Sequence, residues 1–152
     1  MRIFSPAFGN GEYIPIKYTC DGDDVSPPLL FLDPPEETQS FAVLVDDPDA
    51  PVGVFTHWII YDIPGNFEGL PEDVPPAPEL EYGIKQGVND FNRIGYGGPC
   101  PPPGKPHRYF FILFALDIPS TGLPPGARKE EFLRAIDGHV LAQDELVGLY
   151  GR

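Results

Sequence analysis

Proline and glycine break this chain so often that a single convincing helix remains: 21 prolines and 17 glycines fall among 152 residues, between apolar runs and with no period. Proline fixes φ and removes a backbone donor, and glycine admits turn conformations, so these residues read as turns and rigid loops. The stretches between them read as strands. FAVLVDD (41–47) and FTHWIIYDI (55–63) are rich in β-branched and aromatic residues, and RYFFILFALD (108–117) is apolar on both faces, as a central strand is. Shorter strand candidates are residues 2–8, 29–32 and 82–86, and the tail 145–150 fits either a strand or a helix end. The one helix is ARKEEFLRAIDG (127–138). Two prolines precede it, Phe132, Ile136 and Val140 recur every four residues, Glu130 and Arg134 form an i,i+4 pair, and Gly138 suits the position after the last turn. Strands joined by Pro/Gly loops, with no strand–helix alternation, predict a mainly β, mostly antiparallel architecture with peripheral helix.

Length and apolar content suit one domain, residues 1–152, with a substantial core: 41% of residues are hydrophobic and 12% aromatic. Charge restricts the partners. Ten basic residues against 23 acidic ones give −13, so the basic surface that nucleic-acid binding requires is lacking. The longest apolar run, Tyr109 to Leu116, is far too short for a membrane span, and the opening MRIFSPAFGN lacks an export pattern. A soluble, unprocessed, cytoplasmic protein is expected. Cys20 and Cys100 form neither a CxxC nor a ligand cluster, so no metal site and no cofactor are expected.

Two clusters carry possible chemistry. Alternation places Asp47 on the strand face of Phe41, Val43 and Val45, and His57 on that of Phe55, Ile59, Tyr61 and Ile63. A carboxylate on an apolar face needs partners, and Pro48-Asp49-Ala50-Pro51 directly after it is a rigid turn. Two readings stay open here: a site at the strand end, or an Asp capping its own turn beside a satisfied core histidine. The second cluster is GGPCPPPGKPHRY (97–109), where five prolines stiffen a loop that delivers His107, Arg108 and Tyr109 to the start of the apolar strand. Its alternative is a Pro-rich turn with an exposed histidine.

DDPDAP (46–51), THW (56–58), GYGGPCPP (95–102) and HRYFFILFALD (107–117) together resemble the phosphatidylethanolamine-binding protein family. The similarity is greatest to its bacterial and archaeal Raf-kinase-inhibitor-like branch, which SPAFGNGEYIPIKYTCDGDDVSPPL (5–29) and GHVLAQDELVGLY (138–150) also fit. The resemblance implies a central antiparallel sheet flanked by a smaller sheet and short helices, with a small anion pocket at one end. Carried over residue by residue, it implies a ligand site of Asp47, Pro51, His57, Pro102, His107 and Tyr109, with Asp49 and Cys100 at the rim. It also brings Cys20 and Cys100 toward the same end of the sheet, where a disulfide between them is conceivable. Cys100 stands where animal members carry glycine, and the longer C-terminal helical region of those members has no counterpart.

A carboxylate beside imidazole, with a tyrosine hydroxyl and loop N–H groups, suits a tetrahedral oxyanion. The function expected is therefore a binding module for a small phosphorylated or other anionic ligand, regulating a partner protein through its pocket. The alternative is an inhibitor of a serine protease or kinase acting through a surface loop such as 64–79. A hydrolase is the least favoured reading: GxSxG and HExxH are absent, and the only cysteine near a base is Cys100 beside His107. The protein is thus expected not to be an enzyme. A protease or kinase partner and a homodimer are both compatible with this reading.

Overall fold

A computed structural model describes residues 1–152, all of the chain. Two antiparallel sheets and one helix form three layers. The larger sheet comprises β3 (Ser40–Asp47), β4 (Phe55–Pro64), β6 (Lys85–Gln86), β7 (His107–Leu116) and β8 (Val140–Tyr150), in the spatial order β6-β4-β3-β7-β8. The smaller sheet, β1-β2-β5, consists of β1 (Arg2–Phe4), β2 (Leu29–Leu32) and β5 (Gly69–Leu70). Helix α1 (Lys129–Ile136) lies on the opposite face of the larger sheet.

The core explains the layering. Between the sheets, Ile3, Leu29, Phe31 and Leu70 pack with Phe41, Val43, Val45, Trp58, Phe111 and Leu113. On the other face, Phe132 and Ile136 of α1 meet Ala42, Leu44, Ile59, Tyr61, Phe114 and Leu116. Strands β3 and β4 are therefore apolar on both sides, and every residue of β3 is buried. The helix starts where Glu131 accepts the Arg128 N–H at 3.0 Å, and it stops at Gly138, whose φ of 81° few other residues adopt at low cost. Val140 belongs to β8 and is 41% exposed, so the four-residue spacing that joins it to Phe132 and Ile136 is not a helical stripe.

Two register shifts disturb the β3–β4 pairing. Val45 faces Trp58 while Asp46 faces Thr56, leaving His57 as an extra residue in β4; Phe41 faces Ile63 while Val43 faces Ile60, leaving one more near Asp62. Each shift exchanges the two faces of β4. Trp58, Ile60 and Ile63 consequently line the inter-sheet core, while Ile59 and Tyr61 turn toward the helix. Simple alternation placed His57 with Ile59 and Tyr61, and the bulge overturns that. Asp62, at φ 58°, turns its carboxylate to Lys85, Ser120 and Thr121.

Segment 64–79 is held against the body. It contains β5, buries Leu70 and Val74, and is tied down by Asp73 and Val74 amides donating to Ser26 at 2.9 Å each. No helix is long and apolar enough to cross a membrane.

Candidate functional site

At one end of the larger sheet, a cavity of about 330 Å³ opens between the chain after β3, the start of β4 and the loop before β7. Asp47 is the last residue of β3, His57 sits on the β4 bulge, and His107 and Tyr109 begin β7. Pro51, Pro102 and Cys100 form part of the wall with Ala50, Val52, Phe55, Phe91 and Pro101. The floor is therefore polar and the lip apolar. A more polar cleft of about 540 Å³ adjoins it, sharing Pro102 and His107 and adding Asp49, Lys105 and Arg108.

The polar groups form a connected set. The Asp47 carboxylate accepts the His107 Nδ1–H at Oδ2 (2.7 Å) and the Asp49 backbone N–H at Oδ1 (2.7 Å). Asp49 in turn accepts the backbone N–H, Nε and Nη2 of Arg108, each at 2.9 Å. His57 Nδ1 lies 2.6 Å from the Gly97 carbonyl, which can only accept, so Nδ1 carries the proton. His57, His107 and Tyr109 are 3%, 8% and 1% exposed. Neither histidine Nε2 nor the Tyr109 hydroxyl has a protein partner, yet the molecule contains no fully enclosed side-chain polar atom without one. All three atoms therefore reach solvent, and their residues line the cavity. The rings are close: His57 and Tyr109 centroids are 5.2 Å apart, His107 and Tyr109 6.4 Å, and Phe55 and Phe91 enclose His57 from the other side.

Burial sets the protonation of the floor. Desolvation lowers the His57 pKa below its ordinary 6.5, opposed in part by the Gly97 carbonyl, so the imidazole is neutral near pH 7 and presents an Nε2 lone pair. Burial raises Tyr109, and the Asp47 and Asp49 charges raise it further, so it remains a phenol O–H donor. The Arg108 fork draws Asp49 down to about 2, keeping it ionised at any physiological pH. The floor thus combines an acceptor, a hydroxyl, and the Nε2 of an imidazole paired with a carboxylate.

Asp47, Pro51, His57, Pro102, His107, Tyr109 and Cys100 all border the one cavity. Asp49 lies beside it, in the adjoining cleft, and bears on the cavity through Asp47. Cys20 and Cys100 are joined in a disulfide with Cα atoms 5.4 Å apart. The Cys100 sulfur is therefore bonded and is not a free nucleophile for His107. Phe55, Phe91, Val52 and the Gly97 carbonyl were not anticipated in the site. Phe55 is two residues before His57 and so shares its face; Phe91, within NDFNRIG, carries no sequence signal.

The Gly97-Gly98 pair is required by close approach. A Cβ at Gly98 would lie 2.3 Å from the Tyr18 carbonyl and 2.5 Å from Asp24 Oδ1, which accepts the Gly98 N–H at 2.7 Å. This contact fixes where the loop turns toward His57.

The phosphatidylethanolamine-binding protein family profile matches residues 4–151. A UPF0098 protein of Aquifex aeolicus is 56% identical over 153 residues, covering 100% of this chain and 89% of that protein. One of Methanothermobacter thermautotrophicus is 51% identical, covering 100% and 99%. Among solved structures, the phosphatidylethanolamine-binding protein homologue CT736 of Chlamydia trachomatis superposes with a TM-score of 0.90 at 39% identity, covering 99% of this chain and 97% of that one. Escherichia coli YbcL, described as a member of the mammalian family, superposes with a TM-score of 0.92 at 32% identity, covering 99% and 98%. With the profile spanning nearly all of its length and these structures superposing over 99% of it, the chain belongs to the phosphatidylethanolamine-binding protein family.

Proposed function

We propose that this protein is a receptor for a small phosphoryl or similar oxyanion ligand and does no chemistry on it, its ligand state being what a partner protein reads. The observation that carries this is the floor of the cavity, where His57 Nε2, His107 Nε2 and the Tyr109 hydroxyl face the same space without protein partners. A monoprotonated phosphate ester matches that set. Its charged oxygens take donors from Tyr109 and a protonated His107, and its P–OH donates to the neutral His57. The lip of Pro51, Val52, Phe55, Phe91 and Pro102 suits the carbon portion of such an ester. Non-catalytic binding fits the bonded sulfur of Cys100, which leaves the cavity without a thiol nucleophile.

Sulfate and phosphoethanolamine titrated calorimetrically between pH 5 and 8 test this. His107 Nδ1–H is already given to Asp47, so Nε2 donates to an anion only when that nitrogen also carries a proton, and sulfate affinity falls as pH rises. Phosphoethanolamine gives a steeper decline above about pH 6, because its own second ionisation there removes the P–OH that His57 Nε2 accepts. His107→Ala weakens both ligands at acidic pH; unchanged affinity in that variant would place the anion elsewhere.

A further inference from the structure

The wall of the cavity formed by residues 99–104 is poorly anchored by its own backbone. Prolines at 99, 101, 102 and 103 have no N–H to donate. The Pro99 carbonyl accepts the Cys20 N–H at 3.0 Å and the Gly104 N–H donates to the Arg152 carbonyl at 3.1 Å, but residues 100–103 make no backbone hydrogen bond between those points. The Cys20–Cys100 disulfide fills that gap, tying the wall to the segment that carries Thr19 and Asp24. Cys100 is exposed and Cys20 half-buried, so the bridge is open to a small thiol.

Arg152 sits over both sulfurs. Its Nη2 lies 2.9 Å from Cys100 Sγ and 3.4 Å from Cys20 Sγ, and its Nε is 3.5 Å from Asp21. A guanidinium at that distance stabilises a thiolate, and in thiol–disulfide exchange the sulfur of the more stable thiolate leaves faster.

We infer that the Cys20–Cys100 bridge is a redox-sensitive latch on the ligand pocket, opened by a dithiol reductant and held closed by oxidation. One reductant thiolate attacks Cys20 Sγ, the S–S bond breaks, and Cys100 leaves as a thiolate against Arg152. The second reductant thiol then displaces Cys20 from the mixed disulfide. The reductant ends as a disulfide and the protein as two thiols, two electrons and two protons having been transferred. With the bridge open, residues 99–104 keep two backbone hydrogen bonds and lose their covalent tie, so Pro102 no longer walls the cavity beside His107. Its effect on affinity rests on the anion reading above; the loosening of the wall does not.

The test compares oxidised protein, protein reduced with excess dithiothreitol, and the Cys20→Ser/Cys100→Ser double variant. In amide exchange, segments 17–24 and 97–106 exchange roughly tenfold faster in the second and third samples, while β3 and β7 keep their protection. Unchanged exchange in the wall overturns the latch. So does loss of protection in β3 and β7, which would make the bridge a staple of the whole fold. Sulfate titration at pH 6 gives at least a fivefold weaker affinity in the open forms, and equal affinities again overturn the proposal. Failure of sulfate to bind either form counts against the anion reading alone, with the exchange result still deciding the latch. Arg152→Gln slows reduction by dithiothreitol severalfold; an unchanged rate removes Arg152 from the mechanism.

Discussion

Asp47 and His107 lie 60 residues apart in the chain and 2.7 Å apart in the fold, a carboxylate and an imidazole joined where β3 ends and β7 begins. The carboxylate uses both oxygens, taking the Asp49 N–H on one and the His107 Nδ1–H on the other. An amide offers only one acceptor oxygen. Asp47→Asn therefore leaves one of those donors facing an NH2 group and removes the charge that pairs with protonated His107. A charge-assisted hydrogen bond of this kind contributes about 1.5–3 kcal/mol, so sulfate affinity at pH 6 falls by about tenfold or more in calorimetry.

The neutral His57 makes stability depend on pH. Its folded pKa lies below the ordinary 6.5, so on acidification the unfolded chain takes up a proton that the folded chain does not. The contribution is fully present above 6.5 and is lost as pH falls from there toward the folded value, at up to about 1.4 kcal/mol per unit. Urea unfolding at pH 7, 6 and 5 shows this slope in the wild type. His57→Asn flattens it between pH 6.5 and 5; an unchanged slope would mean that another group carries it.

Phe132 is fully buried between Tyr61 and Phe114, with ring centroids 6.1 and 5.9 Å away. Phe132→Ala costs about 3–5 kcal/mol of stability in denaturant unfolding, the range for emptying a buried aromatic site. Because α1 covers the face of the sheet away from the inter-sheet core, ligand affinity in the folded variant stays within about twofold of wild type.

Gly98→Ala has nowhere to place its methyl, since both close neighbours include the Tyr18 carbonyl and a bonded carboxylate. The substitution shifts the loop and lengthens the His57–Gly97 contact. Thermal unfolding shows a loss of roughly 2 kcal/mol or more, in the range for backbone displacement by overpacking, and sulfate binding weakens with it.

The long apolar strands were legible because burial on both faces leaves a signature in composition: β3, β4 and β7 lie within a residue of where the sequence placed them. The helix was legible for its caps and its Phe132–Ile136 stripe. Strand β8 begins at Val140, five residues before the predicted tail, because its first half is an exposed edge whose Gln143, Asp144 and Glu145 do not spell an apolar pattern. Two-residue β5 is defined by its pairing partner alone, and of the candidate 82–86 only Lys85–Gln86 pairs, as β6, the residues before it forming a 3-10 turn. Within the site, Asp47, His57, His107 and Tyr109 were legible as polar residues at strand ends with a structural alternative open, and their grouping into one site came from the family resemblance. The role of Gly97 was hidden, since it acts on His57 through a backbone carbonyl. The bulges were hidden too, as a period of two has no mark for a residue that breaks it.

The extra residue at His57 has a consequence for how this site can change over generations. Its position depends on the count of residues between two pairs, Trp58 with Val45 and Phe55 with Asp47, more than on which residues fill the interval. Point substitutions in the neighbouring turn leave that count intact. Deleting Thr56 would erase the bulge, bring His57 into register opposite Asp46 and turn its ring to the other face of the sheet. A substitution in the lip therefore leaves the register unchanged, while strand length at this point is fixed by the geometry of the pocket.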